Sequence, residues 1–316
     1  MASGLNFCGN TYSLQKLIET KNLKTKIILH GGLGNQLFQW VFGHRVGICG
    51  SEIEFIFYQR ENNVSHAKTS LKEFLSNCQH GHFLEPIKSQ SKLRRVIQDP
   101  TFSRNLFRLF PSYILSTDTN PFLQVSPEIA AKKQFNFGYY QNWRLVEPIA
   151  GVIGPEIWQA LNGRVKTKRE TELYGSEVIH IRQNDIQSQD HKLKLGLLSE
   201  DYYQGLPKRS DLRRIVLTDD VKGAREVLKG LEIDEIFGPE QLDTYEALGV
   251  MANSTSLFTA NSTLSWWGGF LAQSHGADVY IPDPFFRNFY PEQERPFAYP
   301  GFSLIDSRFM PPTDPN

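Results

Sequence analysis

Short apolar runs alternate with longer helix-type stretches along the second half of the chain. The apolar runs are rich in Val, Ile and Leu, as is typical of buried strands. Strands that alternate with crossover helices form a parallel sheet covered by helices on both faces. The predicted strands are 177–182, 213–218, 235–237, 256–260 and 278–282. The predicted helices are 198–206, 219–231, 239–253 and 262–275.

The first half of the chain opens with the same pattern. A strand at 26–30 is followed by a glycine turn and a helix, and then by a second strand at 52–58. A further strand-like piece lies at 135–143. Residues 88–115 mix basic and apolar residues and are predicted to be helical around a break at Pro100. Such a charge run usually forms the solvated face of a core helix, and the alternative is a docking surface for an anionic or membrane-associated acceptor.

The length of 316 residues exceeds what one hydrophobic core usually organises, so two domains are expected. The polar stretch 161–174 interrupts the hydrophobic pattern and marks the boundary between them. We therefore predict an N-terminal extension at 1–25, an N-terminal domain at 26–165 and a C-terminal domain at 166–316.

Polar residues collect where three predicted strands of the second half end. In open parallel sheets, ligands bind outside the carboxyl ends of the strands, so these side chains are expected to meet at one edge. This convergence is a stronger indication of a site than any single residue. The residues are His180, Arg182, Asp185, Asp219, Asp220, Asn261, Ser262 and Ser265.

The chemistry of this group suits a nucleotide diphosphate. Arg182 offers a fixed fork of donors to phosphate oxygens, and Asn261 and Ser262 lie where a helix begins and free N–H groups point at anions. A carboxylate at Asp220 can accept hydrogen bonds from the amino and imino groups of guanine. Taken singly, Arg182 could form a structural ion pair, Ser262 could be a helix cap, and Asp219 or Asp220 could stabilise a helix start.

The glycine turn HGGLGNQLFQ (30–39) matches neither standard phosphate loop. A dinucleotide fold would carry G-x-G-x-x-G with an acidic residue about 20 positions later, and a P-loop would carry a lysine. Here Gly34 is followed by Asn35 and Gln36. We expect the glycines to let the backbone pass close to a ligand, with Asn35 and Gln36 supplying neutral amide contacts.

Several segments in this order resemble the family 11 glycosyltransferases, the bacterial and animal α-1,2-fucosyltransferases. The final segment is the most specific, and the glycine turn is next. The resemblance covers nearly the whole chain from about Lys26. The segments are HGGLGNQLFQ (30–39), FNFGYYQNW (135–143), VIHIRQND (178–185), LSEDYY (198–203), VLTDD (216–220) and TANSTLSWWGGFLA (259–272).

The resemblance implies a GT-B fold, in which two Rossmann-like domains face a cleft. It implies an inverting transfer of L-fucose from GDP-β-L-fucose to a galactoside hydroxyl in α-1,2 linkage, in glycan or lipopolysaccharide synthesis, with no metal and no other cofactor. Arg182 would grip the diphosphate, while His180 and Asp220 would contact guanine. Ser262 and Ser265 would lie by the phosphates, and Asn35 and Gln36 would approach the transferred sugar or the cleft.

The proton of the acceptor hydroxyl needs a base, and Asp185 is the first candidate because it lies nearest to Arg182 in the sequence. Asp190 and His191 are weaker candidates, and the departing phosphate could take the proton itself. Family members usually read His-x-Arg-Arg-Gly-Asp, whereas this chain carries Gln183 and Asn184 after Arg182. A His-Gly pair common before the Tyr-Tyr motif is here Leu195-Gly196. These departures keep open another GDP-sugar donor, or a degenerate protein that binds a nucleotide sugar without turnover.

Composition excludes several other functions. Lys plus Arg and Asp plus Glu both number 34, so no overall positive charge favours nucleic acid. The three cysteines have unrelated spacings, which fit neither a disulfide framework nor a zinc site but a reduced cytosolic setting. No apolar run approaches the roughly 18 residues of a transmembrane helix, and no secretory signal is visible. We expect a cytoplasmic protein that meets any lipid-linked acceptor at the cytosolic face of the membrane.

An oxidoreductase with a dinucleotide fold is disfavoured, because the third glycine of its phosphate loop and the acid that binds the ribose are both missing.

Overall fold

The glycine turn near the start of the chain joins a buried parallel strand to a long helix. In this computed structural model the described residues are 24–57, 71–75, 82–84, 114–116, 125–184, 189–288 and 294–311, and of residues 82–84, 114–116 and 189–191 the backbone alone is described. The first sheet is wholly parallel, with the strand order β3-β2-β1-β5-β4. Its strands are β1 (Lys24–Leu29), β2 (Glu52–Phe57), β3 (His82–Leu84), β4 (Ile114–Ser116) and β5 (Phe135–Phe137).

The helices of this first unit lie between and after its strands. Helix α1 is almost entirely buried, because residues such as Leu37, Trp40 and Val41 pack against the sheet and the neighbouring helices. A 3-10 turn at Glu147–Ile149 leads into the last long helix. The helices are α1 (Leu33–Ile48), α2 (Leu71–Phe74), α3 (Pro127–Ala131), α4 (Trp143–Val146) and α5 (Ala150–Gly163).

The second sheet is also wholly parallel and has the order β11-β10-β9-β6-β7-β8. Its central strands β6 and β7 are buried at every position, so their Val, Ile and Leu residues do not alternate regularly with polar ones. Each strand begins with a buried charged residue, and these two, Glu177 and Arg214, form an ion pair. The strands are β6 (Glu177–Ile181), β7 (Arg214–Thr218), β8 (Glu235–Phe237), β9 (Ser256–Phe258), β10 (Asp278–Asp283) and β11 (Ser303–Asp306).

The helices of the second unit begin with side-chain caps at several positions. Thr167, Ser199 and Asp220 each accept a hydrogen bond from a backbone N–H of the first turn, and Asp243 forms a capping box with Glu246. The helices are α6 (Lys168–Glu172), α7 (Gln189–Lys194), α8 (Glu200–Gln204), α9 (Val221–Val227), α10 (Thr244–Ala252) and α11 (Thr263–Gln273).

The prediction of an α/β protein with two Rossmann-like sheets, the GT-B arrangement, is confirmed. In chain order the second sheet reads 6-5-4-1-2-3, which is the doubly wound order. One apolar cluster joins the two units, because Trp266, Trp267 and Phe270 of α11 pack with Phe38 of α1. Trp266 and Trp267 are fully buried and belong to the core.

Two predictions of secondary structure need correction. Residues 114–116 form a parallel strand paired with β5, although 88–115 was predicted to be helical. The rest of that stretch, up to residue 113, lies outside the described residues. The strand β11 was not predicted, because three of its four residues are exposed and it carries no apolar run. The predicted domain boundaries stay a prediction, with α5 ending at Gly163 and β6 beginning at Glu177.

Candidate functional site

The strand order of the second sheet reverses between β6 and β9. These two strands are neighbours, but the chain continues from β6 to β7 on one side and from β9 to β10 on the other. A crevice opens at such a switch point, since the two connections leave in opposite directions. Arg182 follows the end of β6, and Asn261 and Ser262 follow the end of β9. The topology thus brings two of the three predicted segments directly to the crevice.

The start of helix α11 follows β9 and is largely buried, with Ser262, Thr263 and Ser265 each 7% exposed or less. Ser262 is the N-cap residue with an extended backbone, and its side chain makes no capping hydrogen bond. The N–H groups of Thr263, Leu264 and Ser265 find no acceptor among the residues that the structure describes. Because the N-terminal end of a helix also carries partial positive charge, this turn suits an anionic group such as a phosphate.

Arg182 and His180 share the end of β6. Arg182 is half-buried, and His180 is about nine-tenths buried. Burial, and then the charge of Arg182, lower the pKa of His180 from 6.5 to about 3. The Nδ1 atom of His180 has no hydrogen-bond partner within the described part of the chain. The imidazole is therefore neutral at physiological pH, and the positive charge at this edge belongs to Arg182.

This pKa predicts an acid-sensitive contribution of His180 to stability. The unfolded chain binds a proton near pH 6.5, whereas the folded protein does not until about pH 3. The contribution is therefore complete above pH 6.5 and is lost as the pH falls from 6.5 towards 3, at up to about 1.4 kcal/mol per pH unit. Urea unfolding at pH 7.5 and pH 5.0 should show a larger decrease for the wild type than for His180→Asn. Equal decreases in the two proteins would contradict the assignment.

Asp219 holds the loop that follows Arg182. Its two carboxylate oxygens accept hydrogen bonds from the backbone N–H groups of Gln183 (2.7 Å) and Asn184 (3.2 Å). The side-chain amide of Asn184 donates in turn to the backbone carbonyl of Asp219. These contacts fix the backbone of the Arg182 loop against the end of β7, so the structure places Asp219 as a support of the loop.

Asp220 lies beside Asp219 and caps helix α9. Its Oδ1 atom accepts a hydrogen bond from the backbone N–H of Gly223 at 3.0 Å. The side chain is half-buried, and its Oδ2 atom makes no hydrogen bond within the described residues. Asp220 therefore keeps one carboxylate oxygen for a ligand while it serves as a helix cap.

Asn261 and Ser265 are turned towards the protein. The amide of Asn261 donates to the carbonyl oxygens of Leu195 (3.2 Å) and Gly196 (2.8 Å), and the hydroxyl of Ser265 donates to those of Ala260 and Ser262. Both side chains are fully buried or nearly so. The structure places them as supports that hold the loop after β9, and it leaves Ser262 as the hydroxyl at the helix start.

Asn35 connects the two units. Its Oδ1 atom accepts hydrogen bonds from Gln141 Nε2 at 2.7 Å and from Thr263 Oγ1 at 2.8 Å. Gln141 follows β5, which neighbours β1 in the first sheet, and Thr263 begins α11 of the second unit. Since the Asn35 oxygen takes two donors, its amide nitrogen is the group that remains for a ligand. Sequence reasoning did not single out Gln141 or Thr263, although both lie within motif segments.

Gln36 has a different surrounding from Asn35. Its Nε2 atom donates to the carbonyl of Gly31 at 2.8 Å, and its Oε1 atom accepts from the backbone N–H of Leu71 at 3.1 Å. The side chain is buried. Gln36 thus holds the glycine turn and is not brought together with Arg182 or Ser262 by any described contact.

The predicted base is not placed. Asp185 lies outside the described residues, as do the side chains of Asp190 and His191. Among the residues that are described, no three His, Cys, Asp or Glu side chains come together as a metal site. No helix in the same part of the chain is long and apolar enough to cross a bilayer.

Comparison with known proteins adds to this geometry. No family model matches the sequence. The chain is 25% identical over 286 residues to the alpha-1,2-colitosyltransferase of Escherichia coli, an alignment that covers 82% of this chain and 91% of that protein. This similarity supports a glycosyltransferase. Membership of family 11 stays a prediction.

Solved structures with similar folds share little sequence with the chain. The E. coli heptosyltransferase WaaC with ADP matches with a TM-score of 0.43 and 11% identity, over 87% of this chain and 96% of that one. POFUT1 in complex with GDP-fucose matches with a TM-score of 0.33 and 12% identity, over 79% and 94% of the two chains.

The aromatic residues that follow β5 differ in how deeply they are buried. Tyr140 is fully buried and stacks on Phe42 at 3.7 Å between ring centroids. Trp143 packs edge-on against Tyr299 beneath the guanidinium of Arg144. Tyr139 is half-buried and contacts the ring of His30 at 4.4 Å. Of these rings, Tyr139 lies at the edge of the first sheet and is partly open to solvent.

Proposed function

We propose that the protein is an inverting glycosyltransferase that moves L-fucose, or a close deoxy relative, from a GDP donor to a galactoside hydroxyl. The observation that carries this proposal is that Arg182 and the first turn of α11 follow two neighbouring strands, β6 and β9, at the switch point of the second sheet. Nucleotide sugars as donors and glycans as acceptors agree with the similarity to a colitosyltransferase. Colitose differs from L-fucose by the absence of one hydroxyl, so both sugars are candidates for the transferred group.

The reaction develops negative charge on the leaving diphosphate as the bond to the sugar breaks. Preorganised donors that face this charge are the main catalytic device in such a step. Arg182 would bind the phosphates with its guanidinium, and the N–H groups of Thr263, Leu264 and Ser265 would supply neutral donors from the second side. We propose that this set acts without a divalent ion.

The acceptor would approach from the first unit. Asn35 is held through its Oδ1 atom by one residue of each unit, and its amide nitrogen would contact the transferred sugar. Attack by the acceptor hydroxyl from the face opposite to the diphosphate converts a β-linked donor into an α-linked product. We keep Asp185 as the proposed base, since it closes the segment that begins at His180.

The proposal is tested by turnover with defined donors. The purified full chain should release GDP from GDP-β-L-fucose or GDP-colitose when a β-galactoside is present, and NMR of the product should show an α-1,2 linkage. The rate should be the same with EDTA, and UDP-galactose and ADP-heptose serve as control donors. Release of UDP or ADP instead of GDP would refute the donor assignment. Tight GDP binding with no product from any galactoside would favour the degenerate binding protein.

A further inference from the structure

Gln183 stands where the chain departs from the family motif, and its side chain does not extend into solvent. The residue is only 7% exposed. Its backbone N–H donates to Asp219 Oδ1 at 2.7 Å, which fixes the start of the side chain next to the end of β7. The side chain then crosses from the β6 loop to the first turn of helix α9.

The Gln183 side chain ends over Gly223. The Oε1 atom of Gln183 lies 2.0 Å from the point that a Cβ atom of Gly223 would occupy, and Asp220 Oδ2 lies 2.7 Å from the same point. The amide of Gln183 and the carboxylate of Asp220 are therefore neighbours, and the missing side chain of Gly223 makes room for both. Asp220 uses its Oδ1 atom for the helix cap, so the oxygen beside Gln183 is the one that remains.

We propose that Gln183 and Asp220 form a pair that selects the guanine base of the donor, which makes Gln183 a specificity-determining residue rather than a phosphate ligand. This inference rests on the proposed function, in which the donor is a nucleotide diphosphate sugar. The remaining Oδ2 atom of Asp220 has two lone pairs and accepts hydrogen bonds from N1–H and from the amino group at C2 of guanine. The Oε1 end of the Gln183 amide lies over Gly223, so donation to O6 requires that the amide be turned by 180° to present Nε2 there. Adenine presents an acceptor at N1, which a carboxylate repels, so the same pair disfavours it.

Nucleotide binding measured by calorimetry tests the role of Gln183. GDP, IDP and ADP are titrated into the wild type and into Gln183→Ala. IDP keeps the O6 and N1–H of GDP and lacks only the amino group, so the variant should lose affinity for GDP and IDP by the same factor, about tenfold for one buried hydrogen bond. Affinity for ADP should change little. An equal loss for all three nucleotides, or no loss for GDP, overturns the inference.

A double-mutant cycle tests the contact over Gly223. In Gly223→Ala the new methyl group would displace both the Gln183 amide and Asp220 Oδ2, so GDP affinity should fall by about tenfold or more. The double variant should bind GDP about as Gly223→Ala does, because the Gln183 amide is lost in both. Unfolding midpoints are measured alongside, since the displaced Asp220 also caps helix α9. Lys222→Ala, at an exposed position of the same turn, is the matched control.

The nucleotide preference of the wild type shows whether a failed test contradicts this inference or the proposed function. If the wild type binds ADP or UDP more tightly than GDP, the proposed donor is wrong and the pair has no guanine to select. If the wild type prefers GDP and the preference over ADP survives in both single variants, the inference alone is overturned. Fully additive losses of GDP affinity in the double variant overturn the inference as well, because the two substitutions would then act independently.

Discussion

Replacing Arg182 by alanine should lower the turnover of the GDP-sugar by about 10²–10³-fold, which corresponds to about 3–4 kcal/mol of lost transition-state stabilisation. Arg182 follows the buried strand β6 and lies at the switch point of the second sheet, where charge would develop on the diphosphate. The N–H groups at the start of α11 remain in the variant, so activity should fall without vanishing. Steady-state rates of GDP release with saturating galactoside measure the effect.

Two further variants separate charge from geometry at this position. Arg182→Lys keeps the charge and loses the planar fork, so its rate should lie between those of the wild type and the alanine variant. Arg225→Ala removes an exposed guanidinium from helix α9 and should leave the rate unchanged. Wild-type turnover in Arg182→Ala would refute the proposed phosphate site, whereas a folded alanine variant that binds GDP normally but transfers slowly would place Arg182 at the transition state.

The strands of the second unit could be predicted because buried strands are rich in Val, Ile and Leu. All five positions of both β6 and β7 are buried, and three of the five in each strand are Val, Ile or Leu. The edge strand β11 has no such signal, since a strand at the border of a sheet needs apolar residues on one face at most. Its existence depends on pairing with β10, which the local pattern does not contain.

The sequence alone locates the candidate site, but it does not give the role of each residue in it. Strand ends are local features, so the group around Arg182, Asp220 and Ser262 was visible in the sequence. Whether a polar side chain faces a ligand or the protein depends on partners far along the chain. Asn261 donates to the carbonyl oxygen of Gly196, 65 positions away, and this contact decides that it supports a loop.

The same reasoning applies to the two neighbouring aspartates. Asp219 and Asp220 are equivalent in sequence, since both follow a buried strand and precede a helix. The structure distinguishes them, because Asp219 accepts from the Gln183 and Asn184 backbone and Asp220 caps α9. A sequence motif thus locates the site in the chain, while long-range hydrogen bonds determine the role of each residue.

Gly34→Ala should destabilise the protein and displace the first turn of α11, because Gly34 is where the two units touch by backbone. A Cβ atom at this position would lie 2.5 Å from the Leu264 nitrogen and 2.5 Å from the Thr263 carbonyl carbon. Backbone atoms cannot move aside as a side-chain end can, and the indole of Trp267 also holds the Gly34 carbonyl at 3.0 Å. Overpacking of this kind costs about 1–3 kcal/mol, and a shift of about 1 Å at a catalytic turn can cost about 10²-fold in rate.

Glycine at position 32 provides the matched control for this prediction. Its Cβ atom would meet nothing within 4 Å, and its backbone φ of −74° suits alanine. Because Gly32 is the N-cap residue of α1, where alanine is less favourable than glycine, Gly32→Ala should lose no more than about 1 kcal/mol. Urea unfolding midpoints and GDP-release rates of the two variants are compared directly. Since alanine favours a helix over glycine by about 1 kcal/mol, any loss in Gly34→Ala is a lower bound on the cost of the contact. Equal stability and equal rates for the two variants would show that the units do not meet at Gly34.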